Sequence, residues 1–516
     1  MVMEKELLLK LLAVGPALVG TSWAVGASRS EYPNVVLILA DDLGYGDLSC
    51  LNPDGKIPTR HIDSLARQGV VFTDAHSSSA VSTPSRYSLL TGRYNWRSRM
   101  KAGVLNGYSP ALIDTTRSTL GSLLRRAGYE TACIGKWHLG WNWTRNGKRQ
   151  SDVDFAAPIS CGPVDVGFDY YFGISASLDF PPYVYVENDR ATMVPDRIQP
   201  AVTSDMEYMR SGPIAADFDP REVLPTLTAK AEAYIRNQSG SETPFFLYFP
   251  MTAPHTPILP TEEFLGKSGL NTYGDFVLMV DAMVGRVVEA LKRSGQYDNT
   301  VIIFTSDNGC SPSADYPALT ARGHNPSWVL RGYKADLYDG GHRVPMIVSW
   351  PRGFAPHEVS QTVCYTDWMA TLAALTGQRL APDEGEDSYD LLPLLRHPDY
   401  PQTIREATVH HSINGSFAIR QGAWKLILSA GSAGWSYPRP KQDDAVIATL
   451  PPVQLYRLTD DLSEQRNLCA EYPEKVAALT ALLWKYIRDG RSTPGPAQQN
   501  ENEEKWPQLE TIPLER

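Results

Sequence analysis

Several places in the chain set polar residues at spacings that chemistry can use. Asp41-Asp42 follows the apolar run Val35-Val36-Leu37-Ile38-Leu39, and Asp307-Asn308 follows Val301-Ile302-Ile303-Phe304. Either pair alone reads as a turn or a helix cap. Together they offer oxygen ligands only, which suits one hard cation such as calcium better than zinc, a metal that takes His or Cys. Gly135-Lys136-Trp137-His138-Leu139-Gly140 separates a Lys and a His by one residue, so an extended backbone points both side chains to one face, as two groups serving one anionic centre require. His255 stands in Ala253-Pro254-His255-Thr256-Pro257, and Lys334 lies five residues before Asp339-Gly340-Gly341-His342-Arg343-Val344-Pro345. In isolation these two read as a turn histidine and a loop lysine. Ser82-Thr83-Pro84-Ser85-Arg86 opens a helical stretch inside a serine-rich segment, where a plain reading makes Ser82 a helix cap.

Short apolar runs alternate with helical patterns through the first two-thirds of the chain, which predicts an α/β fold with a mostly parallel sheet flanked by helices. The strand candidates are residues 35–39, 245–249, 301–304 and 346–348. Asp219-Pro220 predicts a helix running to about Arg236. A second helix is predicted from about Tyr273 to Arg293, with Val277, Val280, Val284, Val287 and Leu291 on one face. Ligands of open α/β sheets bind beyond the carboxyl ends of the strands, so Asp41, Asp42, His255, Asp307 and Asn308 can converge there. Residues 142–218 lack a clear period and read as long loops over the site. From about Thr403 short strands at 407–410, 417–420 and 424–428 and a helix at 473–488 predict a smaller α+β subdomain. The expected division is a signal peptide at 1–27, a catalytic domain at 28–402, and the C-terminal subdomain with its tail at 403–516.

A chain of 516 residues buries a large core. Its net charge of −10 argues against nucleic acid or an anionic membrane as partner. The six cysteines are far apart and match no zinc spacing or small disulfide framework. Lys5 and Lys10, an apolar run from Leu11 to Val25, and Gly26-Ala27 resemble a secretory signal, too short and interrupted to span a bilayer. The expectation is a secreted or periplasmic protein without stable membrane insertion.

The string from Ser82 to Arg86, continued by Leu89-Leu90-Thr91-Gly92-Arg93, resembles the modification signature of the formylglycine-dependent sulfatases, and the block from Gly135 to Gly140 resembles that family's other short signature. The segments around His255 and Lys334 are similar to sulfatase segments as well, with Asp339 where the family more often has Glu. These motifs follow the family's order over roughly residues 33 to 490. The resemblance implies an alkaline-phosphatase-like fold, one calcium on Asp41, Asp42, Asp307 and Asn308, and a serine-type maturation enzyme that oxidises Ser82 to formylglycine. It further implies that Arg86, Lys136 and Lys334 neutralise the sulfate oxygens, that Asp307 is the base, that His255 protonates the leaving sugar oxygen, and that His138 takes the proton that releases sulfate.

The substrate expectation is a sulfated carbohydrate, because aromatic loops favour a sugar over a small aryl ester. Phe264-Leu265-Gly266 and Tyr273-Gly274-Asp275 look like parts of galactosamine-sulfate sulfatases. Asp179 and Tyr183 on one loop, and His410, His411 and Asn414 on a hairpin tip, are the candidate sugar contacts, with a structural strand end as the alternative for the histidines. The other readings are a phosphatase or phosphodiesterase of the same superfold, or a sulfoglycan-binding protein with unconverted Ser82.

Overall fold

The computed structural model describes residues 32–501 and 506–510; the expected signal segment at 1–27 lies outside them. The strand Asn34–Ala40 shows why the sheet is buried on both faces. Val35, Leu37 and Leu39 enter one apolar cluster, and Val36, Ile38 and Ala40 enter another. Such a strand has no polar face, hence the unbroken apolar run. It pairs in parallel with Phe245–Pro250 on one side and Thr300–Ser306 on the other. Glu130–Lys136 and then Tyr170–Ile174 extend the parallel set, while Met346–Ser349 joins antiparallel in a sheet of ten strands among the described residues.

Helices cover both faces. Arg60–Gln68, Val223–Asn237 and Thr272–Arg293 pack on one side, and Ser82–Thr91, Leu120–Arg126 and Trp368–Leu375 on the other. In the long helix Asn271 Oδ1 accepts from the Gly274 amide at 3.2 Å, capping its first turn. The predicted stripe from Val277 to Leu291 is buried, each side chain worth about 1.5–3 kcal/mol. The helix predicted from Asp219 starts later, at Val223, because the Asp219 side chain closes a turn onto the Arg221 amide at 3.0 Å.

Residues 142–218 are not all loop. Tyr170–Ile174 is a strand of the main sheet, and four further short strands follow before Phe218. Its apolar run, buried on both faces, carries no alternation to announce it.

The C-terminal sheet is antiparallel, with Thr408–His411, Phe417–Gln421, Trp424–Ile427 and, beyond the three predicted strands, Gln454–Arg457. The helix Pro473–Arg488 packs on it through Leu479, Leu483 and Ile487. This sheet is tied to the main part at a sensitive place. The His411 amide donates to Ser78 O and its carbonyl accepts from the Ala80 amide, both at 2.9 Å, just before Ser82.

Candidate functional site

The register of the two central strands builds the floor. Ala40 pairs with Ser306, so Asp41 and Asp307 leave neighbouring strand ends side by side. Asp42 turns through a left-handed backbone (φ 64°), and its amide donates to Asp307 Oδ1 at 3.1 Å. Asn308 Nδ2 donates to Asp42 Oδ1 at 2.7 Å, and Asn308 Oδ1 is buried without a partner among the described residues.

Ser82 is the first residue of its helix; Val81 takes the cap position, so Ser82 does not cap it. Its hydroxyl donates to Asp41 Oδ1 at 3.3 Å and accepts from Lys136 Nζ at 3.2 Å. Lys136, the last residue of its strand, also donates to Asp41 Oδ2 at 2.6 Å. Arg86 follows Ser82 by one helical turn and so shares its face. Its Nε and Nη2 donate to Asp307 Oδ2 at 3.1 and 2.8 Å, and Nη1 donates to Lys136 O at 3.1 Å. Both oxygens of Asp307, the expected base, are thereby engaged, and the carboxylate nearest the Ser82 hydroxyl is Asp41. Lys334 Nζ donates to Asp42 Oδ2 at 2.7 Å, and His255 Nε2 lies 3.7 Å from the same oxygen.

His138 reaches the group differently from the expectation. The strand ends at Lys136 and His138 has φ 57°, so a left-handed turn, not strand alternation, brings it to the floor. Its Nε2 donates to Leu105 O at 2.7 Å, which leaves Nδ1 with a lone pair and no partner among the described residues. Burial, then Lys136 and Arg86, hold this imidazole well below the usual histidine range, so it is neutral. Burial alone raises the Asp41 carboxyl, but Lys136, His255 and Arg86 outweigh it and bring it to about 2. Burial likewise opposes the charge on Lys334, yet Asp42 and Asp41 raise its ammonium above the ordinary lysine value. The floor is a compact set of alternating charges: Asp41, Asp42 and Asp307 against Arg86, Lys136 and Lys334. Such a set can seat a cation on its oxygens and an anion on its ammonium and guanidinium groups.

The five candidate sugar contacts divide. Asp179 is 5% exposed and paired with Arg210, with His255 close enough to help hold its carboxyl down. Asn414 is exposed at a turn, where its Oδ1 accepts from Ser412 Oγ at 2.7 Å and from the Ser416 amide at 3.0 Å. Tyr183, His410 and His411 are corrections. Tyr183 is buried, and its hydroxyl donates to Arg210 O at 2.6 Å. His410 is buried against His342, with ring centroids 3.9 Å apart, and His411 Nδ1 meets Asn95 Nδ2 at 2.9 Å. Alternation does send the two histidines to opposite faces, but both faces are covered, which strand periodicity alone does not reveal.

Other residues stand at the site unannounced. Phe180 lies 6.1 Å from the His138 ring and carries the Arg210 guanidinium 3.8 Å from its own centroid. The Trp435 ring centroid is 5.9 Å from Lys334 Nζ. The only sequence signal for Trp435 is an aromatic pair, Trp435 and Tyr437, in a turn-rich stretch.

Comparison with known proteins gives the family. The family model described as Sulfatase matches residues 33–378. An N-acetylgalactosamine-6-O-sulfatase of Bacteroides thetaiotaomicron is 36% identical over 493 residues, covering 88% of this chain and 93% of that protein. Human arylsulfatase A is 32% identical over 507 residues, with 92% of each chain covered. A solved Bacteroides thetaiotaomicron sulfatase, from work on the metabolism of multiple glycosaminoglycans, superposes with TM-score 0.77 at 34% identity, covering 88% of this chain and 99% of that one. On sequence, fold and the order of its motifs, the chain belongs to the sulfatase family and is a sulfuric ester hydrolase.

Proposed function

We propose that this chain hydrolyses sulfate monoesters on a glycan, with the 6-sulfate of N-acetylgalactosamine as the first substrate to test. The observation that carries the reading is the floor itself: Ser82 held between Lys136 and Asp41, with Lys334, His255 and an unpartnered nitrogen of His138 around it. The sugar is suggested by the relative named for that substrate, which is 36% identical over most of both chains.

Asp41, Asp42, Asp307 and Asn308 offer only oxygen donors, and the orphaned Asn308 Oδ1 fits a calcium ion, which when bound supplies Lewis-acid neutralisation of sulfate oxygens. Position 82, if oxidised from serine to formylglycine by a serine-type maturation enzyme, would supply the attacking hydroxyl as the hydrate of its aldehyde. The remaining work falls to this chain's own side chains. Arg86 and Lys136 fix position 82 and add positive charge, and Lys334 adds more where charge grows in the transition state. His255, whose Nε2 lies 3.7 Å from Asp42 Oδ2 and which keeps some contact with solvent, is the group that donates a proton to the leaving oxygen, and His138 Nδ1, neutral and without a partner among the described residues, accepts the proton that accompanies sulfate release. Asp179 and Asn414 remain proposed sugar contacts at the edge.

We further place the domain boundary near residue 402 and the protein outside the cytoplasm, guided by the N-terminal segment. Among the described residues no helix is long and apolar enough to cross a membrane. The test is mass analysis of the peptide containing residue 82 from active enzyme, together with hydrolysis of N-acetylgalactosamine 6-sulfate before and after chelation. Loss of two hydrogens at Ser82 and calcium-restored turnover are expected; active enzyme carrying only serine overturns the mechanism.

A further inference from the structure

The floor is nearly closed. Ser82 is 2% exposed; around it Lys334, His255 and Asp179 keep 7%, 6% and 5%, and Phe180 and Arg210 next to Asp179 are half-buried. A substrate whose sulfate reaches Ser82 must therefore leave the rest of its body between Lys334 on one side and Asp179, Phe180 and Arg210 on the other. Next to Lys334 stands a loop from the C-terminal part, residues 431–438.

This loop is built onto the segment that carries Lys334. Asp336 is buried, and its Oδ1 accepts from the amides of Trp435 and Ser436 at 2.7 and 3.0 Å, while its Oδ2 accepts from the Tyr333 amide at 2.9 Å. The Tyr333 hydroxyl donates to Trp435 O at 3.2 Å, and the Leu337 amide donates to Ser432 O at 3.0 Å. Gly434 lets the two backbones approach: a Cβ there would sit 2.4 Å from Ala335 O. One carboxylate thus fixes the main chain on either side of Lys334 and Trp435 together. The indole ring is half-buried, with its centroid 5.9 Å from Lys334 Nζ, and that ammonium is 2.7 Å from Asp42 Oδ2.

A large, rigid apolar ring held at the mouth of an anion site suits one class of body, a pyranose whose C–H face is apolar and whose hydroxyls point outward. Covering that face removes apolar surface from water without costing the hydroxyls their hydration. We propose that Trp435 is a specificity residue on which the sulfated sugar ring stacks, so that the C-terminal part of the chain selects the sugar while the main sheet binds its sulfate. This inference rests on the carbohydrate reading above.

The test separates sugar from sulfate by kinetics on Trp435→Ala and Trp435→Phe. For N-acetylgalactosamine 6-sulfate, the alanine variant should raise KM about 10- to 100-fold, the loss typical of one buried aromatic anchor, and phenylalanine should recover most of it. The inhibition constant of inorganic sulfate should stay at the wild-type value, because sulfate alone does not touch the ring. An unchanged KM, or a sulfate inhibition constant that rises in step with KM, overturns the inference. If the wild type hydrolyses 4-nitrophenyl sulfate but no member of a panel of sulfated sugars that includes N-acetylgalactosamine 6-sulfate, the carbohydrate reading fails and this inference fails with it. A wild type active on the sugar with an indifferent Trp435→Ala refutes this inference alone.

Discussion

Two buried clusters in this molecule look alike in composition and differ in what they can do. At the floor, Asp41, Asp42 and Asp307 face Arg86, Lys136 and Lys334. Where the C-terminal sheet meets the main part, Asp74, Asp339 and Glu464 face Arg343, Arg420 and Lys425, with His76, His342 and His410 among them. Both clusters also contain three side chains close enough to share a metal ion: Asp41, Asp42 and His255 in one, the three histidines in the other. The second cannot use that closeness. The His342 and His410 rings stack at 3.9 Å and 10°, and lone pairs lie in the ring plane, so two parallel rings cannot both aim at one ion. Every ring nitrogen there already has a partner: His76 with Asp74 and His342, His342 also with Leu337 O and Lys425, and His410 with Ser77 O and Thr408. The carboxylate oxygens of that cluster without a hydrogen bond, Asp339 Oδ2 and Glu464 Oε1, still lie against Arg343 and Lys425 at 3.7 and 2.8 Å, whereas at the floor Asn308 Oδ1 and His138 Nδ1 have no partner among the described residues. Buried charge holds elements together in both places; only unspent atoms that converge make a site.

Substitutions sharpen this contrast. Asp307→Asn removes one floor charge and should lower kcat/KM on 4-nitrophenyl sulfate about 10²- to 10³-fold, with calcium binding lost by calorimetry and the far-UV circular dichroism retained. Wild-type turnover in that variant would take Asp307 out of the floor. Lys425→Met reverses the balance of effects. It leaves Asp339 and Glu464 buried without their ammonium, at a cost of about 3–5 kcal/mol in denaturant unfolding, while the folded enzyme keeps its kcat/KM. A turnover loss at unchanged stability would make the second cluster functional after all. Asn414→Ala should show the smallest change, about 0.5–1.5 kcal/mol from the lost turn bonds. If the hairpin tip reaches the sugar, KM for the sulfated sugar rises while that for 4-nitrophenyl sulfate holds; equal values on both substrates remove Asn414 from the proposed contacts.

Much of the floor was legible in the chain because strand ends announce themselves. The apolar runs at 35–39 and 301–304 are each followed at once by the acidic pairs, and the parallel register that joins them sets those pairs side by side. The convergence of Lys136 and His138 was also legible, but for another reason than the one that operates. A left-handed residue replaces the expected alternation, and a non-glycine residue in that conformation has no reliable sequence mark. For His410 and His411 the chain leaves two readings open, a sugar-facing tip or a structural strand end, and their burial where the sheet lies under Ser78 and Ala80 matches the second.

By itself the sequence determined the chemistry available and the elements that carry it, since residue types set donors and acceptors and hydrophobic period sets strand or helix. Tertiary structure alone decided which of those groups share a space. Asp42 and Asn308, 2.7 Å apart, are 266 residues apart in the chain, and Trp435 meets Lys334 only because a buried aspartate pins one loop on the other. Such contacts depend on long-range register and on packing that excludes water from both partners, and neither quantity is a property of any short stretch of chain.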